Sequence, residues 1–230
     1  MKVIGLLGGM SWESTTEYYR LINEAVKERL GGLHSAKCVL YSVDFAEVAE
    51  LQRQGKWSDA AQLLAVAAQN VERAGAELVV LCTNTMHKVA DTIQARIGIP
   101  LLHIADATAE KVKQAGIRRV GLLGTRFTME DDFYQDRLIS QFGLEVLIPG
   151  PKDRETVHRI IYEELCLGII RSESKARVAS IMTRLGKMGT EGIILGCTEL
   201  GLLIRAKDSH VPLFDTTHVH ALAAVEHALK

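Results

Sequence analysis

One stretch of this chain occurs twice, and the repetition restricts its possible folds more than any other feature. Arg73-Ala74-Gly75-Ala76-Glu77-Leu78-Val79-Val80-Leu81-Cys82-Thr83-Asn84-Thr85 lies without gaps over Lys187-Met188-Gly189-Thr190-Glu191-Gly192-Ile193-Ile194-Leu195-Gly196-Cys197-Thr198-Glu199. Gly75 meets Gly189, Glu77 meets Glu191, and Thr83 meets Cys197. Each copy reads as a basic helix end, a glycine, a short apolar strand and a turn rich in Cys and Thr. Two more landmarks repeat in the same order. Ile4-Gly5-Leu6-Leu7-Gly8-Gly9 is echoed by Val120-Gly121-Leu122-Leu123-Gly124-Thr125, and Ile99-Pro100-Leu101-Leu102 with Asp106 by Val211-Pro212-Leu213-Phe214 with Asp215. A period of roughly half the chain means domain duplication, since solenoid arrays repeat every 20–50 residues or so. Two similar halves are expected to present their Cys/Thr turns to each other across one cleft, an arrangement that suits chemistry on two opposite faces of a small molecule.

The strand-length apolar runs are near-continuous: Val3–Leu7, Cys38–Val43, Leu78–Leu81, Pro100–Ile104, Val120–Leu123, Leu144–Ile148, Ile193–Leu195 and Pro212–Phe214. Such runs suit strands buried on both faces. Helical patterns separate them. Ser14–Leu30 ends at Gly31-Gly32, Trp57–Ala74 at Gly75, Glu155–Leu167 at Gly168 and Ser172–Met188 at Gly189, each a helix-stop signal. Alternating strands and helices predict an α/β fold of two similar Rossmann-like domains with mainly parallel sheets. The expected halves are 1–115 and 116–217, with a final helix at about 218–230 that packs back on either half. Pro149-Gly150-Pro151 reads as a loop within the second half.

At 230 residues the chain can bury a sizeable core. Its formal net charge of −1 offers no electrostatic attraction to nucleic acid or anionic membranes. No apolar run approaches the roughly 18 residues that a bilayer span needs, and Gly8-Gly9 interrupts the first run too early for a signal peptide. Cys38, Cys82, Cys166 and Cys197 show neither paired spacing nor CxxC, so they read as free thiols of a cytoplasmic protein.

The site candidates cluster at strand ends. Gly5-x-x-Gly8-Gly9 lacks the GxGxxG spacing of a dinucleotide site and reads as a tight turn, with Met10 and Ser11 lining the cleft after it. Thr83-Asn84-Thr85 and Cys197-Thr198-Glu199 each lead from a strand into a helix. There Thr and Asn act as N-caps, or free backbone N–H groups hold a carboxylate or phosphate. A cysteine at a helix N-terminus is expected to ionise below its usual ~8.5, which makes Cys197 the candidate catalytic thiol. Cys82 pairs with Gly196 in the overlay and reads as a buried small residue, and Cys38 as core. Cys166, late in a helix, is core or faces the cleft. His87 either points into the cleft or is a satisfied structural histidine. His103, His218 and His220 have no spacing that completes a metal site. Gln52 and Arg53 open a loop and are candidate readers of a substrate side chain.

With Gly5-Leu6-Leu7-Gly8-Gly9-Met10-Ser11, Thr83-Asn84-Thr85-Met86-His87 and Gly196-Cys197-Thr198-Glu199-Leu200, the chain resembles the cofactor-independent aspartate/glutamate racemase superfamily, most closely its aspartate-racemase branch. The resemblance covers nearly the whole length. It implies a cleft between two α/β domains, a catalytic thiol from each, no pyridoxal phosphate, no metal and a homodimer. Two departures matter. Thr83 stands where the family motif has Cys, and Cys166 stands where some aspartate racemases carry a Lys that binds a side-chain carboxylate.

Racemisation removes the α-proton from one face and returns one to the other, so it needs a base and an acid, with donors to offset the charge that develops on the carboxylate. The expected roles follow. Cys197 takes the proton of the L-amino acid and Thr83 donates or relays one, giving an asymmetric racemase of aspartate or glutamate. Asn84, Thr85, Thr198, Glu199, Met10, Ser11, Gln52 and Cys166 are the expected substrate contacts. Two alternatives remain: a single-cysteine isomerase or decarboxylase of the same superfamily, such as maleate isomerases and arylmalonate decarboxylases, and a non-catalytic carboxylate-binding protein.

Overall fold

A computed structural model describes all 230 residues, Met1 to Lys230. In chain order its elements are β1 (Ile4–Gly8), α1 (Trp12–Leu30), β2 (Cys38–Ser42), α2 (Phe45–Arg53), α3 (Trp57–Arg73), β3 (Leu78–Leu81), α4 (Ala90–Gln94), β4 (Leu101–Leu102) and α5 (Ile104–Gln114). Then come β5 (Arg119–Gly124), α6 (Arg126–Glu130), α7 (Asp132–Asp136), β6 (Glu145–Leu147), α8 (Pro151–Glu163), α9 (Ser172–Lys187), β7 (Gly192–Gly196), α10 (Leu200–Leu203), β8 (Leu213–Asp215) and α11 (Thr216–Leu229). They form two compact units. One is Met1–Ile104 with His220–Lys230, the other Ala105–Val219. The units part between Ile104 and Ala105, so α5 falls with the second, where the sequence reading placed the boundary near Ala115-Gly116.

Each unit holds a four-stranded, all-parallel sheet. The orders are β2-β1-β3-β4 and β6-β5-β7-β8, the same topology twice. The register repeats as well. Gly5 pairs with Val79 and Val79 with Leu101 in one sheet; Gly121 pairs with Ile193 and Ile193 with Leu213 in the other. This strand pairing reproduces the ungapped sequence overlay, so position 83 of one unit corresponds to position 197 of the other.

In the first unit the strand alternation sorts side chains onto two layers. Leu7, Val79 and Leu81 pack with Val48 of α2 and Leu64 and Val71 of α3. Ile4, Leu6, Leu78 and Val80 pack with Tyr18 and Ile22 of α1 and with Ala224, Val225 and Ala228 of α11. In the second unit Leu123, Ile193 and Leu195 pack with Val157 and Ile160 of α8 and Val178 and Leu185 of α9. Burial on both faces holds for β1, β3, β5 and β7 but not for the edge strand β2, where Leu40 and Tyr41 are exposed. An edge strand lacks a neighbour on one side, and its apolar run alone does not reveal that.

Local chemistry moves several helix boundaries from their expected places. α1 starts at Trp12 because the Ser11 hydroxyl accepts the Ser14 N–H at 3.4 Å. α8 starts at Pro151, where a helix tolerates the missing N–H. It ends at Glu163, and Cys166 lies in a separate 3₁₀ turn, Leu165–Leu167, closed by Gly168 at φ 70°. Residues 45–53, given no element by the sequence reading, form α2, capped by Asp44 accepting from Ala46 N–H at 3.0 Å. Gln52 and Arg53 therefore sit in the last turn of a helix rather than at the start of a loop. The two aspartates of the repeated Pro-led landmark also differ in position. Asp215 ends β8 and accepts from Thr217 N–H at 2.9 Å, whereas Asp106 lies within α5 and pairs with Arg137.

Candidate active site

The glycine-rich end of β1 is a close approach of backbone. Gly9 has φ 94°, and a Cβ there would fall 2.2 Å from the Val43 carbonyl oxygen. Thr15 pins the turn by accepting Gly9 N–H at 2.8 Å and donating to the Ser11 carbonyl at 2.7 Å. Met10 is buried in the core beside Leu7 and Val79, and Ser11 serves as the cap of α1.

Thr83, Asn84 and Thr85 follow β3 and are all buried. Their turn is held by His87. The Ile104 N–H donates to His87 Nε2 at 3.2 Å, so Nδ1 carries the proton and donates to the Thr83 carbonyl at 2.7 Å. His87 is therefore a satisfied structural histidine whose two nitrogens tie the Thr83 turn to the start of α5. It belongs to a ring cluster, 4.6 Å from the half-buried His103 and 5.8 Å from His220 between centroids. His220 Nε2 donates in turn to the Leu102 carbonyl at 2.9 Å and Nδ1 accepts from Tyr18 Oη at 2.8 Å. No group of three His, Cys, Asp or Glu side chains is arranged to hold a metal ion. Cys82 packs with Ile4, Val80 and Ala224, and burial pushes its thiol far up. Cys38 is half-buried at the margin of the same cluster, its thiol pushed up to about 11 by desolvation. Gln52 is buried and donates to Met86 Sδ at 2.9 Å, while Arg53 is exposed and paired with Glu50 at 2.5 Å.

In the second unit β5 and β7 close tightly just before the turn. A Cβ on Gly124 would stand 2.6 Å from the Gly196 carbonyl oxygen, and one on Gly196 would stand 3.0 Å from that of Leu123. Cys197 follows directly, 6% exposed. Its Sγ donates to Glu199 Oε2 at 2.9 Å, and Thr198 Oγ1 donates to the same oxygen at 2.8 Å. Oε2 of Glu199 thus accepts from both neighbouring side chains. The Cys197 thiol is consequently held well above its ordinary pKa, first by burial, then by the Glu199 charge and by Cys166.

This corrects the sequence expectation of a lowered thiol pKa at a helix N-terminus. The helix that follows, α10, spans only Leu200–Leu203, and a single turn supplies little of the dipole that would favour a thiolate. The turn after Thr83 is likewise a short 3₁₀ segment, Thr85–Val89, and Asn84 makes no side-chain cap.

The structure adds two residues to this neighbourhood. Tyr162, one helical turn before Cys166, lies close enough to Cys166, Cys197 and Glu199 for their charges to raise its phenol further, after burial. Arg126 follows β5 in the position that Met10 holds after β1, because Gly5 corresponds to Gly121 and Gly8 to Gly124. It is exposed, its N–H bonds His158 Nδ1 at 3.2 Å, and its guanidinium lies 5.8 Å from the Phe127 ring and in no ion pair. The sequence signal for Arg126 is the overlay itself, extended by one residue.

The family model described as Asp/Glu/Hydantoin racemase matches residues 7–224. A Yersinia pestis structure described as that of a candidate Asp/Glu racemase is 59% identical over the whole of both chains, with a TM-score of 0.92. An aspartate racemase homologue from Pyrococcus horikoshii OT3 is 38% identical over the whole of both chains, with a TM-score of 0.86. The broad specificity amino-acid racemase RacX of Bacillus subtilis (strain 168) is 22% identical over 97% of this chain and 96% of its own. The duplicated parallel sheets and the repeated register agree with this match, and the chain belongs to the Asp/Glu/hydantoin racemase family.

Proposed function

We propose that this protein is a cofactor-independent amino-acid racemase that acts on aspartate or glutamate and favours the L enantiomer. The observation that carries the reading is the shared strand register, which makes Thr83 and Cys197 corresponding residues of two like turns. Family membership supports proton transfer at Cα, and these two side chains are of the right kind for it. Cys197, once ionised, is the base for the L-amino acid. Thr83 is too weak an acid to serve as an independent base, so it donates or relays the second proton. Asn84, Thr85 and Thr198 offer donors to the substrate carboxylate as negative charge develops. Arg126, a cation with no carboxylate partner at the same strand ends as Cys197, favours a substrate with a second carboxylate. The homodimer implied by the family resemblance is part of the same proposal.

A single-cysteine isomerase is the second reading, favoured by the hydroxyl in place of one thiol. The test is a chiral screen of all twenty amino acids without added cofactor, run on the wild type and on Cys197→Ser. The proposal expects enantiomer interconversion of an acidic L-amino acid by the wild type and none by the variant. No interconversion of any amino acid by the wild type contradicts it.

A further inference from the structure

The thiol proposed as the base spends its own proton on a hydrogen bond within its turn. Its proton points at a buried carboxylate two residues away in the same turn, Sγ to Oε2 at 2.9 Å. That oxygen already receives the Thr198 hydroxyl at 2.8 Å. A thiol is a weak donor, and a cation bonds a carboxylate roughly twice as strongly as a neutral group does. A ligand cation brought to Glu199 Oε2 therefore competes with the weaker S–H bond. The free amino acid carries such a cation on the same carbon as the hydrogen that must reach Sγ. A carboxylate oxygen in contact with Sγ thus matches an ammonium nitrogen and a Cα–H borne on one atom.

We infer that Glu199 is the seat of the substrate's α-ammonium group, and that seating it switches Cys197 from thiol to thiolate. The inference rests on the proposed racemase reading and adds a recognition rule and a trigger to it. In the free protein Sγ–H bonds the carboxylate. On binding, Glu199 stays ionised and takes the ammonium, and the Sγ–H proton leaves to a solvent base. The thiolate then accepts the Cα proton, forming a new S–H bond as the Cα–H bond breaks. The electrostatics agree in sign: burial and the Glu199 charge hold the thiol up, and a cation between the two offsets the second of these. The ligand class follows. A free α-ammonium is required, so N-acyl amino acids and 2-hydroxy acids fail to trigger the switch.

The experiment measures proton release and thiolate absorbance near 240 nm when the intact protein binds L-glutamate or L-aspartate in weak buffer near pH 7.5. The expected result is up to one proton per chain with a matching absorbance rise. Both vanish in Cys197→Ser and in Glu199→Gln, and both are missing with N-acetyl-L-glutamate. Glu199→Gln should also raise KM at least tenfold, while Glu199→Asp keeps the proton release and stays within a few-fold of wild-type KM. That conservative variant separates the role from misfolding.

A wild type that racemises yet releases no proton on binding overturns the inference and leaves the racemase reading standing. So does a Glu199→Gln variant with unchanged KM and proton release. Ammonium-dependent proton release without any racemisation does the reverse.

Discussion

His87 Nδ1 lies 2.7 Å from the carbonyl oxygen of Thr83, and the other ring nitrogen takes the amide of Ile104 at 3.2 Å. One neutral imidazole thus fixes the turn that carries the proposed proton donor. His87→Ala leaves a buried amide and a buried carbonyl without this partner, each at a cost of about 1–3 kcal/mol. The expected result is a clear fall in melting temperature, together with a loss of turnover larger than the loss of substrate affinity. Wild-type stability in His87→Ala contradicts the structural role.

The shared register makes opposite predictions for two adjacent residues. Thr83→Cys places a thiol at the position that corresponds to Cys197 and should raise turnover of the D enantiomer. Cys82→Ala removes a fully buried core side chain and should cost about 1–2 kcal/mol of stability, with turnover within a few-fold. Kinetics with each enantiomer check both. Loss of catalysis in Cys82→Ala but not in Thr83→Ala would mean that Cys82 is the second catalytic residue.

Arg126 follows the strand end that borders the Cys197 turn and has no acidic partner. Arg126→Ala should raise KM for aspartate and glutamate at least tenfold and leave kcat nearly unchanged, as expected when uniform binding is lost. Equal losses for an apolar amino acid would assign Arg126 to the α-carboxylate or to the fold.

Cys197, Cys82 and Cys38 all have folded pKa values above those of free thiols, chiefly through burial. A raised folded pKa gives stability that is complete below the unfolded value of ~8.5 and is lost as pH climbs through the folded value. Each such thiol contributes a slope of up to about 1.4 kcal/mol per pH unit in that window. The melting temperature should therefore decline from about pH 8.5 upward, and Cys82→Ala should flatten the decline. A melting temperature constant to pH 10 contradicts the assigned shifts.

Much of this was legible in the residues. Glycine before an apolar run and a Cys/Thr turn after it, twice, gave the topology and the correspondence of Thr83 with Cys197, because parallel strands buried on both faces leave near-continuous apolar sequence. Local sequence also misled. Cys197 reads as a helix-start thiolate, yet its ionisation depends on the length of α10, on burial and on where Glu199 points, none of which a linear motif contains. Cys166 reads as helical because the pattern runs on to Gly168, but the helix breaks after Glu163. Phe45–Arg53 shows no clear period in the sequence because α2 is short and rests only Val48 and Gln52 on the core.

The central claim is that Cys197 exchanges the α-proton of an L-amino acid. Deuterium incorporation at Cα in D₂O tests it directly, with L- and D-glutamate and L- and D-aspartate as separate substrates and Cys197→Ser as control. The expected result is wash-in from an L substrate, slower initial wash-in from its D enantiomer, and none in the variant. Equal initial rates from both enantiomers would contradict the asymmetry, and undiminished exchange in Cys197→Ser would contradict the assignment of the base.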